Sequence, residues 1–299
     1  MPSIGRVMQF RLAGDANGTF WENPALAGRM AGTHTDEWFN FGGDKCWPAP
    51  QSAWQQQQAR AWPPPPGFDC PQMTAIIGES ELILTSQVDA AWGIQIVRSI
   101  ALEPRKPIMR IHSEYHKTLG SPVQAGIWSI TQMQEPEAVC IHLNSASSLT
   151  NGYLRLFDAE PKGLMLERGV LSFARHREAY TKIGADGAAL AWIGPTSVVR
   201  IDVEPQMGEY PDGGCITEIY TNPNPLNYVE LETLGPMSYM NIGDRMHLNV
   251  TYTISPRSNL DSLGETESIF REISFRPGEF DRPSRSSLQC VASHPTHSI

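Results

Sequence analysis

Residues 227–234 read Asn-Tyr-Val-Glu-Leu-Glu-Thr-Leu, and their alternation decides the class of fold. A β-strand has a side-chain period of two, so Tyr228, Glu230, Glu232 and Leu234 share one face while Val229, Leu231 and Thr233 share the other. The same alternation returns in 81–88 (ELILTSQV), 92–102 (WGIQIVRSIAL), 107–118 (PIMRIHSEYHKT) and 123–133 (VQAGIWSITQM). It continues in 197–204 (SVVRIDVE), 215–222 (CITEIYTN) and 246–254 (MHLNVTYTI). Short strands of this kind, separated by turn residues, predict an all-β fold, a large antiparallel β-sandwich. Residues 265–273 (ETESIFREI) read as a short helix, and 276–299 read as an extended tail with little hydrophobic pattern.

The composition agrees with that class. The chain has 299 residues, 40% of them hydrophobic and 18% charged, and its 25 Gly and 24 Pro favour turns over long helices. One sandwich domain over 1–275 is expected, since large β-sandwiches reach this length. A net charge of −9 without any Lys/Arg cluster argues against a nucleic-acid partner. No run approaches the roughly 18–20 apolar residues that cross a bilayer. The opening MPSIGRVMQF lacks the apolar core of a secretory signal, so a cytoplasmic protein without a membrane partner is expected. Cys46, Cys70, Cys140, Cys215 and Cys290 are odd in number and form no Cys-x-x-Cys pair, which fits free thiols and gives no zinc motif. A P-loop, a Gly-x-Gly-x-x-Gly fingerprint and a Gly-x-Ser-x-Gly elbow are all missing, and no cofactor or metal is expected. The oligomeric state is not legible.

Residues 47–67 (WPAPQSAWQQQQARAWPPPPG) read as a long proline-stiffened loop. Trp47, Trp54 and Trp62 are costly to leave in water, so the loop is either a solvated spacer or a wall over a cleft. Tryptophan faces also suit stacking against the C–H faces of sugar rings.

Several polar residues stand out from their strands. Glu230 and Glu232 share a face, and neighbouring carboxylates raise the pKa of at least one partner, which suits proton transfer; a plain solvated face has the same pattern. Arg110, His112, Glu114 and His116 form a second polar row, with two imidazoles around one carboxylate. That row binds a metal, supplies acid and base groups or holds incidental ion pairs, and its spacing is not that of the helical zinc motif. Asp44 and Lys45 interrupt an aromatic run and serve either a ligand or a salt bridge. Arg98 breaks the apolar face Trp92, Ile94, Ile96, Ile100 and must reach water, a carboxylate or a ligand. Trp128 and Gln132 share a strand face, where an indole and an amide can meet a sugar together.

Gly5-Arg6-Val7-Met8, FGGDKCWPAPQSAW (41–54), SPVQAGIWSITQM (121–133), YVELETLGP (228–236) and IGDRMHLNVTYTI (242–254) occur in an order that resembles the galactose mutarotase-like superfamily, in an uncharacterised branch of it. The resemblance spans residues 5–255. It implies a sugar-binding cleft on the concave side of the sandwich and, as in aldose-1-epimerases, a carboxylate base on a late strand in a Leu-Glu-Thr context. Leu231-Glu232-Thr233 matches that context, making Glu232 the implied base, with Glu230 second on the same face. The family's acid histidine lies in a His-x-Tyr-Phe-Asn-like run. The comparable segment here, Gly126 to Gln132, has no histidine, which leaves His34, His112 and His116 as candidate acids. Relatives also carry a strand ahead of the Gly-Arg motif, so the first strand is expected to be missing or differently built.

Together these readings predict an aldose-1-epimerase-like enzyme on a free sugar or sugar derivative. Catalysis would fall to Glu232, Glu230, His116, His112 or His34, and substrate binding to Asp44, Lys45, Trp47, Arg98, Trp128 and Gln132. The alternatives are a non-catalytic carbohydrate-binding protein and a lyase in which Lys45, Arg98 and Arg110 neutralise a uronate.

Overall fold

A computed structural model describes residues 1–29, 38–258 and 260–271. Two antiparallel sheets face each other. The first runs β1 (Asp44–Ala49), β6 (Val123–Gln134), β15 (Tyr228–Leu234), β14 (Thr217–Thr221), β11 (Thr181–Ala185), β8 (Tyr153–Arg155), with β16 (Ser238–Met240) paired on β6. The second runs β2 (Met73–Ile77), β3 (Glu81–Val88), β4 (Ile94–Leu102), β5 (Ile108–Lys117), β17 (Arg245–Pro256), β13 (Ser197–Val203), β12 (Ala189–Ile193), β7 (Ala138–His142), β10 (Val170–Ala174), β9 (Lys162–Glu167). All the alternating segments read from the sequence are strands here.

The strands that alternation missed have a different sequence character. β7 (AVCIH) and β12 (ALAWI) are near-continuous apolar runs, and β12 is buried throughout because the helix Ser262–Arg271 packs on the outer side of the second sheet. A strand covered on both faces has no polar face to alternate with. β1 was hidden for another reason: it holds Asp44, Lys45 and Pro48, yet all six of its residues are buried.

The core between the sheets is a single apolar cluster. Val229 and Leu231 of β15 meet Ile127 and Met133 of β6, and from the second sheet come Ile96, Ile111, Tyr115, Val250 and Tyr252. Burying each large aliphatic side chain contributes about 1.5–3 kcal/mol, so this layer dominates the folding energy.

The proline-rich stretch is not one loop. Trp47–Ala49 close β1, residues Gln51–Ala53 form a 3-10 turn, and short helices cover Trp54–Gln58 and Pro66–Asp69. The prolines and glutamines explain it: Pro66 occupies a first-turn position where no N–H is missed, and four successive glutamines are adequate helix formers. The helix Trp54–Gln58 ends at Ala59 in the left-handed region (φ 61°). The expected carboxy-terminal helix spans Ser262–Arg271, while the tail 276–299 lies outside the described residues.

Candidate functional site

Strand register assembles the site. Across the first sheet Lys45 pairs with Ile130, Ile130 with Glu232, and Glu232 with Glu218. One row along, Gln132 pairs with Glu230, Glu230 with Tyr220, and Tyr220 with Lys182. One row the other way, Trp47 pairs with Trp128, and Trp128 with Leu234. Directly opposed residues point to the same side, so these three rows line the face turned away from the inter-sheet core. Glu230 and Glu232 therefore do share a surface, together with a third carboxylate, Glu218, and two lysines.

The charges on this face are buried and paired. Glu232 is 1% exposed and Glu218 fully buried. Lys182 Nζ lies 2.5 Å from the Glu218 carboxylate and 2.9 Å from Glu232, and 4.6 Å from the centre of the Trp128 ring. The Trp128 indole donates to Glu232 Oε2 at 2.7 Å. Lys45 donates to Glu230 at 3.3 Å with its ammonium 4.7 Å above the Trp47 ring. Beyond Trp47, Asp69 accepts from the Trp47 indole at 3.0 Å and from Arg6 at 2.7 Å.

Electrostatics separates the two lysines. Burial lowers both, but Lys182 faces two carboxylates, and Glu218 and Glu232 together push it above the ordinary lysine value. Lys45 has one close carboxylate and Arg6 opposes it, so burial prevails and its pKa falls. Burial likewise raises Glu230 against the pull of Lys45, and raises Glu218 well above the usual carboxylate range against the pull of Lys182. On this face burial thus shifts the Lys45 ammonium and the Glu230 and Glu218 carboxyls toward their neutral forms.

Neutral polar groups complete it. Gln132 is fully buried and Asn40 nearly so; the Tyr228 hydroxyl meets both amides, the rest of their hydrogen-bonding capacity has no partner within the protein, and the buried Trp38 indole N–H is also unpaired. An unsatisfied buried polar group costs about 1–3 kcal/mol, so such a cluster calls for a ligand or water. Aromatic rings wall the site: Trp47 stands 5.4 Å from both Trp54 and Trp128, and Trp38 is 5.1 Å from Trp62, which is 46% exposed. Of the three tryptophans of 47–67, Trp47 and Trp54 are buried against the sheet and Trp62 forms the outer rim. On another side Trp21 packs 4.7 Å from Tyr228. Past Ile216, on the same face as Glu218, opens a cavity of about 740 Å³ lined by Pro50, Asp186, Tyr210 and Met237.

Five sequence candidates lie elsewhere. Asp44 alternates with Lys45 and so points between the sheets, where Arg98 meets it; Tyr252, Thr131 and Ser129 donate to its other oxygen at 2.9, 3.1 and 3.2 Å. Asp44 and Arg98 are thus a core ion pair and not ligand groups. His112 and His116 sit on β5 of the second sheet, on its outer side, because Met109, Ile111, Ser113 and Tyr115 take the inner side. Both bind Glu114, at 2.9 and 2.5 Å, and the sandwich, about 10 Å from sheet to sheet, separates them from Glu232. Arg110 is on that same outer side, 2.9 Å from Glu103. His34 lies outside the described residues.

Lys182, Glu218, Asn40, Arg6 and Asp69 were not singled out from sequence. Glu218 shares the alternation of CITEIYTN, so its face was readable, but its partner strand was not; Lys182 lies in TKIGA, a run too short to show a period. Among the described residues no three His, Cys, Asp or Glu side chains are arranged to hold a metal ion, and no helix is long and apolar enough to cross a membrane.

Comparison with known proteins places the fold. No protein-family model and no curated protein matches the sequence. Among solved structures, a candidate mutarotase, YeaD from Salmonella typhimurium, superposes with a TM-score of 0.54 at 11% identity, over 85% of this chain and 86% of that one. The Slr1438 protein from Synechocystis sp. PCC 6803 gives 0.52 at 12% identity, over 85% and 90%. The chain therefore has the mutarotase-like β-sandwich fold, as its sequence resemblance implied.

Proposed function

We propose that this protein is carbohydrate-active, an aldose-1-epimerase-like enzyme that works on a free sugar or sugar derivative bound over β6 and β15, with Glu232 as base. The observation that carries the reading is that this carboxylate shares a buried strand face with the incompletely paired amide of Gln132, with Asn40 beside Tyr228, inside a wall of tryptophans. Amides that both donate and accept match sugar hydroxyls, and indole faces match the ring's C–H surface. The name of the Salmonella structure, a candidate mutarotase, points the same way. The test is anomer interconversion, followed by NMR magnetisation exchange over a panel of aldoses. Acceleration by the wild type and its loss in Glu232→Gln, with sugar binding retained in calorimetry, is the expected result; equal turnover by the variant refutes the base assignment.

One observation favours a second reading, a non-catalytic sugar-binding protein: no histidine stands on the cleft face among the described residues, and Glu230 and Glu232 are both engaged by lysines. Calorimetric binding without acceleration for any sugar would select it. The lyase alternative keeps only Lys45 of its three cations, because Arg98 is committed to Asp44 in the core and Arg110 lies on the opposite side of the sandwich.

A further inference from the structure

From the register and the ion pairing we infer that Lys45, reaching across β6 to Glu230, is the proton donor to the sugar ring oxygen, a part that no histidine among the described residues takes. This rests on the epimerase reading and deepens it.

The argument begins with position. Lys45 and Glu232 are both in register with Ile130, on the strands that flank β6, so they stand on opposite sides of one strand and turn to the same face. Adjacent strands are about 4.8 Å apart, which separates the two backbones by roughly 10 Å. The lysine side chain spans that gap: its ammonium reaches Glu230, two residues from Glu232 on the same strand face. Trp128 and Gln132 occupy the β6 positions two residues either side of Ile130 on the same face, so an indole and a buried amide frame the same spot. A ring lying there meets a carboxylate on one side and an ammonium on the other.

The second cation is unsuited to the role. Both ammonium groups sit over a tryptophan ring, but Lys182 makes two short carboxylate contacts whereas Lys45 makes one, at 3.3 Å, which leaves it an N–H for a ligand. The charged groups facing Lys45 are Glu230 from β15, Arg6 from the amino-terminal segment and Asp69 from the short helix Pro66–Asp69. Burial lowers the Lys45 pKa, making it a better acid than an exposed lysine.

The step balances. The Glu232 carboxylate takes the anomeric hydroxyl proton; the electrons of that O–H bond form the C1=O double bond. The C1–O5 bond breaks, its pair goes to O5, and Lys45 donates a proton there, leaving a neutral amine and an open-chain aldehyde. Rotation about C1–C2 and reversal of each transfer closes the other anomer and restores both residues.

Lys45→Arg tests this, because arginine keeps the charge and the pairing but does not release a proton at working pH. Anomer-exchange rates are measured against pH beside melting temperature and calorimetric sugar affinity. The expected result is a turnover loss of about 100-fold or more with affinity within about 3-fold. The wild-type rate should fall as pH rises through the Lys45 pKa, and that limb should vanish in Lys45→Arg. Glu230→Gln provides a second reading, since removing the carboxylate that holds the proton on Lys45 shifts the same limb to lower pH. Wild-type turnover in a folded Lys45→Arg, or an alkaline limb unmoved by Glu230→Gln, overturns the assignment while leaving Glu232→Gln to judge the base. A wild type that accelerates no sugar overturns both.

Discussion

Replacing Asp44 by Asn separates the structural part of this molecule from the chemical part. Asp44 is fully buried and Arg98 is 1% exposed, so the substitution leaves the guanidinium in the core without its counter-charge. The amide keeps the size of the carboxylate and its oxygen can still accept from Tyr252, Thr131 and Ser129, but its NH2 then faces the guanidinium, so the counter-charge and the hydrogen bond from Arg98 are lost together. Stripping one partner from a buried pair costs about 3–5 kcal/mol. At about 2–4 °C per kcal/mol for a large domain, the melting temperature should drop by about 6–20 °C. Urea unfolding provides the free energy, and the double variant Asp44→Leu/Arg98→Met should cost clearly less than the sum of its single changes. At a temperature where Asp44→Asn is folded, sugar binding should match the wild type. A variant within about 1 kcal/mol of the wild type that has lost the ligand would refute the assignment of this pair to the core framework.

The other predictions address the cleft face and the outer sheet. Gln132→Leu removes a buried amide whose one partner within the protein is the Tyr228 hydroxyl, so folding stability should change by about 1.5 kcal/mol or less in denaturant titration while sugar affinity falls by about 10-fold or more. Lys182→Met leaves Glu218 and Glu232 buried without their shared cation, costing about 3–5 kcal/mol at neutral pH. Glu218 is already raised by burial and rises further without Lys182, so the folded state then binds its proton more tightly than the unfolded state. The defect should accordingly be greatest at neutral pH and shrink as the pH falls toward about 4.3, the unfolded glutamate value, in a series of thermal melts. On the outer sheet, partial burial would raise Glu114, but hydrogen bonds from His112 and His116 prevail and hold it at about 2. Its contribution is present above about pH 4 and lost as the pH falls toward 2, so Glu114→Gln should cost about 1 kcal/mol or less at pH 6 and nothing near pH 2.

The half-buried strands were the legible part of the fold. WGIQIVRSIAL and PIMRIHSEYHKT alternate because one side meets the core and the other meets water, and that pattern survives in a linear string. In the same way Glu230 and Glu232 could be put on one face without any knowledge of neighbours. The strands ALAWI and DKCWPA could not be read so, since burial on both faces erases the contrast on which alternation depends. His112 and His116 show the limit most sharply. Their row has the chemistry of an acid–base site, yet no local pattern says which sheet, or which side of it, a strand will take.

By itself the sequence determined the all-β class, the strand-by-strand choice of which side chains travel together, and the pairing of Glu230 with Glu232. These depend on residues two apart, which the backbone geometry of a strand fixes. Only the tertiary structure decided that Lys45 joins those carboxylates while its neighbour Asp44 turns inward to Arg98, and that Lys182 and Glu218 complete the cluster. Those contacts join residues 36 to 185 positions apart, and they follow from strand order and register, which are set by the packing of whole sheets.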